Sequence, residues 1–239
     1  MKVTLMKKII AMPIRRLYKR FFSFFAWDQW INASWSQEGE DQILRRIFED
    51  QSLGFYVDVG AHHPKRFSNT FLFYGRGWRG INIDAMPGSM KAFGKERPRD
   101  INIEVGVGLQ QGQLDYYVFN ETALNGFSKE ISMKRHESDV PCQITETIKI
   151  NVYPLSAILA SNLPPGQTID FMTVDVEGLD LEVLQSNDWS KYRPKLVLAE
   201  VLGSSLHEID QSEIGKLMNS VGYVIYAKCV NTVFFKTVS

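Results

Sequence analysis

The sequence predicts an α/β protein built on a mostly parallel sheet with helices on both faces. Two observations carry this. From residue 37 onward, short apolar runs bounded by turn residues alternate with stretches of helical spacing, the pattern of strand–helix–strand units. The last two runs, in "YVIYAKCVNTVFFK", follow one another about a tight turn at Asn231 and would add an antiparallel hairpin at the edge.

The elements follow in order. In residues 37–50, "QEGEDQILRRIFED", Ile43, Leu44 and Ile47 share helical spacing and predict a helix. "GFYVDVG" is a short buried strand. "SNTFLFYGRGW" opens on the capping residues Ser68 and Asn69 and stops at Gly75 and Gly77, which makes it a helix. "RGINIDAMPGS" is a second strand ending at Asp84, "SMKAFGKE" a short helix and "INIEVGVG" a third strand. "LDYYVFN" and "ETIKINVYPL" alternate as strands, with a long polar segment between them. "IDFMTVDVEGLDLEVLQS" is a strand and a helix hinged at residues 175–178. "PKLVLAEVL" is a further apolar strand, and "SEIGKLMNSVG" a helix closed by Gly222.

The 239 residues, 44% of them hydrophobic, suit one large domain with a short appendage, and the core needs no staples. Cys142 and Cys229 match neither a disulfide framework nor a zinc site, so a reducing compartment is expected. Basic and acidic residues balance at 27 each, but Lys2, Lys7, Lys8, Arg15, Arg16, Lys19 and Arg20 stand in residues 1–27 without an acid. The remainder is mildly acidic, which argues against nucleic acid as a partner, because that binding rests on neutralising phosphates. Residues 1–35 read as a basic arm and residues 36–239 as the domain.

In the arm, Ile14, Leu17, Tyr18, Phe21, Phe22 and Phe25 share one helical face, with Arg15, Arg16, Lys19 and Arg20 off it. Such a helix can lie in an anionic membrane surface, or pack its stripe on the domain or on a second copy in a homodimer. No apolar run is long enough to span a bilayer, and Pro13 and the basic residues break what a signal peptide needs. The expected location is the cytoplasm, peripheral on the inner face of the plasma membrane if the arm binds lipid.

In an open α/β sheet a ligand sits outside the carboxyl ends of the strands, near the switch in strand order. The residues there are Asp58, Gly60, Asp84, Glu104, Asp175, Glu177 and Glu200, and all but the glycine are acidic. A pyrophosphate wants a glycine-rich turn and often a lysine; neither G-x-G-x-x-G nor a phosphate loop is present, which sets a nicotinamide dehydrogenase aside. An acidic site with one glycine suits a nucleoside whose other charges are positive. S-adenosylmethionine is one: it has a sulfonium, an amino group and a ribose with two hydroxyls.

Six stretches in order, "YVDVGAHHP", "SNT", "GWRGINIDAMP", "EVGVG", "LNGFS" and "DVEGLDLEVL", resemble the FkbM-type S-adenosylmethionine-dependent methyltransferases over roughly residues 36–237. The resemblance implies a class I methyltransferase-like (Rossmann-like) seven-stranded sheet with a reversed last hairpin, and O-methylation of hydroxyls on sugars or polyketide-type products. The short form with "DVGAHHP" is similar to those that accompany bacterial surface-polysaccharide synthesis. The implied acceptor is therefore a sugar hydroxyl of a cell-surface glycan or of its lipid-linked precursor. The alternatives are a methyltransferase of a soluble natural product, with the arm serving dimerisation, and a non-catalytic adaptor in glycan assembly. Intact Asp58, Asp84, Asp175 and Glu177 count against the adaptor.

On that resemblance Gly60 lets the backbone approach the methionine part of the cofactor. Asp58 orients the same loop or accepts from the cofactor ammonium. Asp84, followed by Ala85, would accept from both ribose hydroxyls. Glu104 and Val105 end the third strand, where adenine would lie, and Asn69 and Thr70 would hydrogen-bond the cofactor. His62 and His63 sit in an extended loop, where Pro64 limits the backbone of His63. They meet the cofactor carboxylate, the role expected of His62, or supply a base, the role expected of His63.

Methyl transfer needs oxygen, methyl and sulfur in line and a base for the hydroxyl proton. Asp175 and Glu177, with Glu200 from the next strand, are the expected catalytic carboxylates. Two residues apart on extended chain, Asp175 and Glu177 would point to one side and share a proton, or hold a divalent metal such as magnesium. Asp175 would also reach the cofactor; its plainer role is to cap the following helix. Gln37 and Asp41 match a stretch that precedes the first strand in the family and would close the pocket on the substrate. Residues 121–147 read as a substrate-facing insertion or lid, in which His136, with Lys134 and Arg135, would meet an anionic acceptor.

Overall fold

A computed structural model describes residues 32–138, 141–202 and 205–238. The predicted arm, through residue 31, lies outside the described residues. Helix α1 (Glu40–Ile47) leads into β1 (Phe55–Val59), α2 (Phe71–Gly75), β2 (Arg79–Asp84), α3 (Met90–Glu96) and β3 (Ile101–Glu104). Next come β4 (Gly106–Val107), β5 (Gly112–Phe119), α4 (Lys129–His136) and β6 (Ile144–Tyr153). The chain continues through α5 (Leu155–Asn162), β7 (Phe171–Val174), α6 (Asp180–Gln185) and β8 (Leu196–Glu200). It closes with α7 (Leu206–Gln211), α8 (Glu213–Ser220), β9 (Tyr223–Lys228) and β10 (Thr232–Thr237).

Seven strands form one sheet in the order β3-β2-β1-β7-β8-β10-β9. The five from β3 to β8 are parallel, and β10 runs antiparallel to both of its neighbours. This is the mostly parallel, class I methyltransferase-like sheet with a reversed last hairpin. The order reverses between β1 and β7, so the connections that leave their carboxyl ends run to opposite faces of the sheet and leave a crevice between them.

Strand alternation explains why helices cover both faces. On β1, Phe55, Val57 and Val59 point to one side and join Met172 and Val174 of β7 in a cluster with Leu155 and Leu159 of α5, Leu184 of α6 and Met218 of α8. Tyr56 points to the other side and packs with Phe171, Leu198 and Phe234 against Leu44 of α1, Phe73 of α2 and Trp78. Residues 34–239 form one compact unit on these two layers.

Asp58 shares the side of Tyr56, which decides its partners. Arg97, fully buried just past α3, pairs with Asp100 at 2.9 Å and donates to the Tyr56 hydroxyl at 2.8 Å and to Thr70 Oγ1 at 2.9 Å. Thr70 in turn donates to Asp58 at 2.5 Å. A buried charge is costly unless all its partners are present; here the guanidinium ties the end of β1 to the loop that precedes α2.

The structure adds four elements to the sequence reading, among them helix α4 within the polar segment. The run "INIEVGVG" is not one strand: it breaks at Val105, and Gly106 and Val107 leave the main sheet to pair with β6. β4, β6 and β5 form a separate three-stranded sheet. At Gly106 a Cβ would stand 2.8 Å from side chains of Phe127 and Val152, so only glycine lets the two strands meet. Helices α5 and α7 are also new; α5 follows the strand "ETIKINVY" directly, where a short apolar run has no period long enough to reveal it. Among the described residues no helix is long and apolar enough to cross a membrane.

Candidate functional site

A cavity of roughly 340 Å³ opens at the carboxyl ends of β1, β2 and β7, where the strand order switches. Gly60 lines it. The Gly60 and Ala61 amides both donate to the Ile83 carbonyl, at 2.9 and 3.0 Å. With φ at +83°, Gly60 passes so close to β7 that a Cβ would lie 1.7 Å from the carbonyl oxygen of Asp175. The single glycine of the first strand end is therefore required by a backbone crossing within the protein, and that crossing brings Asp175 to the cavity.

Asp84 faces the cavity from β2. Its carboxylate accepts from the backbone amides of His62 at 2.8 Å and Met86 at 2.9 Å. Burial pushes its pKa up, and the two amides oppose that push. Each oxygen keeps lone-pair capacity toward the cavity. Ala85 and Val105 line the cavity beside it, with Met86, Val107 and Phe127 making an apolar wall.

His62 has a left-handed backbone, φ +51°, with its amide fixed on Asp84. Its ring lines the cavity, and Nε2 is buried without a hydrogen-bond partner. Burial lowers its pKa and so favours the neutral ring, against the pull of Asp84. His63 also lines the cavity, but its Nδ1 accepts from the amides of Lys65 and Arg66 at 3.0 and 2.9 Å. That nitrogen is committed to folding the loop.

Several expected contacts lie elsewhere. Asp58 and Thr70 belong to the buried Arg97 network, so Asp58 orients the loop and neither side chain lines the cavity. Burial raises the Asp58 pKa to about 6, against the pull of Arg97. Asn69 donates to Thr173 at 3.0 Å. Glu104 is exposed and accepts from the Gly88 amide at 2.8 Å. Asp41 is fully buried and gathers Ser34, Ser36 and the Trp35 amide ahead of α1. His136 accepts from the Ile144 amide at 3.2 Å, tying α4 to β6. Gln37 does line the cavity, as do Thr122 and Ala123 of the polar segment.

The carboxylates divide their work. Asp180 accepts from the amides of Val176 and Gly178, so the turn before α6 is held by Asp180 and not by Asp175. Glu177 has φ +56° and pairs with Arg135 of α4 at 2.6 Å, which breaks the extended alternation that would have aligned it with Asp175. Both line the cavity. Asp175 is ringed by protein but reached by solvent through the mouth. Burial, then the charges of Glu200 and Glu177, push its carboxyl upward, a push that solvent entering at the mouth weakens. Among the described residues no three His, Cys, Asp or Glu side chains converge to hold a metal; with Glu177 on Arg135, Asp175 and Glu177 do not form one.

Glu200 stands behind this pair, outside the cavity lining, and burial, then Glu177 and Asp180, raise its pKa to about 8. The folded state thus holds this proton more tightly than the unfolded chain. The stability it confers is complete below the ordinary glutamate value and is lost as pH rises through about 8. Thermal melts from about pH 5 to about pH 9 should show the melting temperature falling with pH, and Glu200→Gln should flatten that fall.

Sequence reasoning missed Tyr116, Asn125 and Phe127 as cavity residues. The Tyr116 and Phe127 rings pack 4.8 Å apart, and Asn125 accepts from the Phe119 amide at 2.8 Å. The signal available was the stretch "LNGFS" and the strand alternation that buries Tyr116.

A family model described as the methyltransferase FkbM domain matches residues 58–225. A solved structure from Pyrococcus horikoshii, provisionally described as an RNA methyltransferase, matches with 10% identity over 84% of each chain and a TM-score of 0.41. No curated protein matches the chain.

Proposed function

The chain belongs to the FkbM methyltransferase family, and on that premise we propose that it is a cytoplasmic S-adenosylmethionine-dependent O-methyltransferase. Its proposed acceptor is a sugar hydroxyl of a bacterial cell-surface glycan or of the lipid-linked precursor, with the basic arm holding the protein at the inner membrane face. The observation that carries this is one cavity with Asp84 at one strand end and Asp175 at another, meeting beside Gly60.

The residues present fit the cofactor. The Asp84 carboxylate, aimed by two amides, has acceptor capacity for a pair of ribose hydroxyls. Met86, Val105, Val107 and Phe127 offer an apolar wall for adenine. The unpartnered Nε2 of His62 wants a polar group, and the cofactor carboxylate supplies one if that nitrogen carries the proton. When bound, S-adenosylmethionine brings an electrophilic methyl group. The protein aligns the acceptor oxygen and removes its proton. Asp175 is suited to the second task, because crowding by Glu200 and Glu177 raises its affinity for a proton. Glu177, paired with Arg135, and the segment around Thr122 and Ala123 would border the acceptor.

Incubation with methyl-labelled S-adenosylmethionine and the membrane fraction of the source cells tests this reading. The expected product is label in lipid-extractable glycan that survives mild alkali, as a methyl ether does. Label that alkali releases, or that appears only in water-soluble small molecules, contradicts it.

A further inference from the structure

Large apolar side chains stand exposed at the cavity, in Phe67, and along the side of the main sheet onto which the parallel strands end. The Trp35 carbonyl accepts from the Ser68 amide at 3.0 Å, and its ring meets Phe71 edge-on at 5.4 Å. Phe67 lines the cavity, 42% exposed, with a left-handed backbone at φ +57°. Lys65 and Arg66 lie over the Phe71 and Phe67 rings, 5.5 and 4.3 Å from the centroids. Hydrogen bonds carry the rim onward. Gln37 lines the cavity, Glu38 accepts from the Asn231 amide at 2.7 Å, and the Asn231 carbonyl accepts from the Val201 amide at 2.8 Å. Val230 and Leu202 flank those bonds, and Leu206 opens α7; Val230 is 70% exposed and Leu206 58%.

Aromatic rings with cations beside them and aliphatic residues beyond make the composition of a surface suited to a membrane interface. The chain that runs into Trp35 carries seven basic residues before its first acid, Asp28. We infer that this rim docks on an anionic lipid bilayer, with the cavity mouth facing the headgroups. The inference rests on the proposed lipid-linked acceptor. Trp35, Val230 and Leu206 enter the headgroup layer, the basic residues of the arm meet lipid phosphates while Lys65 and Arg66 stay paired with Glu96 and Glu121, and an acceptor anchored by its own tail presents its sugar without leaving the surface.

Flotation of the full chain with vesicles of two parts phosphatidylcholine to one part phosphatidylglycerol tests the inference. The intact protein is compared with Trp35→Ser and with the double variant Leu206→Ser/Val230→Ser. Vesicle binding is expected to fall about tenfold or more in each, while S-adenosylhomocysteine binding, read on the same samples, stays unchanged and shows that the variants fold. Undiminished vesicle binding by the variants overturns the inference and leaves the arm alone as the anchor. A rim that dimerises, seen as a dimer in light scattering that the double variant converts to monomer without any vesicle affinity, also overturns it. A protein that ignores vesicles yet binds S-adenosylhomocysteine loses the rim assignment only; one that binds no S-adenosylhomocysteine loses the enzymatic reading.

Discussion

Asp175→Asn is expected to lower kcat by about 10²- to 10⁴-fold, the usual contribution of a positioned base, while S-adenosylhomocysteine affinity changes far less. The amide keeps the shape of the side chain, so the backbone crossing with Gly60 survives. What it loses is the proton acceptor that the crowding by Glu200 and Glu177 makes effective. The same substitution should raise stability at neutral and alkaline pH. A carboxyl whose folded pKa is raised confers stability that is complete below its unfolded value and is lost as pH climbs through the folded one. Asparagine cannot ionise, so the variant is spared that loss, and its melting temperature should exceed that of the parent most clearly above neutrality. Lower activity with higher stability is the signature of a functional charge held against its own electrostatics. Lower activity with lower stability would mark Asp175 as structural.

Gly60→Ala should be the most damaging single change to the fold, costing more than about 4 kcal/mol in denaturant unfolding. Two causes add. The left-handed backbone at φ +83° carries a penalty of about 1–2 kcal/mol for a residue with a Cβ. The new methyl would then stand 1.7 Å from the Asp175 carbonyl oxygen, which is backbone of β7 and cannot rotate away. Gly39→Ala is the control. Its φ of +88° is equally left-handed, but nothing lies within 4 Å of the added Cβ, so only the backbone penalty of about 1–2 kcal/mol applies. Equal losses at the two positions would remove the steric argument and with it the account of why β1 ends on glycine.

The main sheet was legible because its strands are short apolar runs set between helical ones, and the terminal hairpin because Asn231 marks a turn between two such runs. The three-stranded sheet was not. β4 is two residues long, and its partner β6 lies far along the chain, so no local pattern announces the pairing. Within the site, Asp84 follows from position alone, since the end of β2 opens into the cavity. Asp58 was read into the same cavity from its strand end and Thr70 from the loop over the site, but Asp58 shares the side of Tyr56, so alternation sends it toward Arg97, and Thr70 bridges the two. Nothing around Arg97 in "KERPRD" signals that it is the buried partner of that network. Asp175 and Glu177 were read as a pair on extended chain. The left-handed turn at Glu177 separates them, and that turn depends on Arg135 from a helix the sequence leaves hidden in a polar segment.

Titration calorimetry with S-adenosylhomocysteine, run on the intact protein and on Asp84→Asn, tests the central claim most directly. The account predicts micromolar binding to the intact protein and a loss of about 100-fold or more in the variant, as expected when hydrogen bonds from two hydroxyls to a charged carboxylate are weakened together. No binding to the intact protein, or equal binding by both, would contradict it.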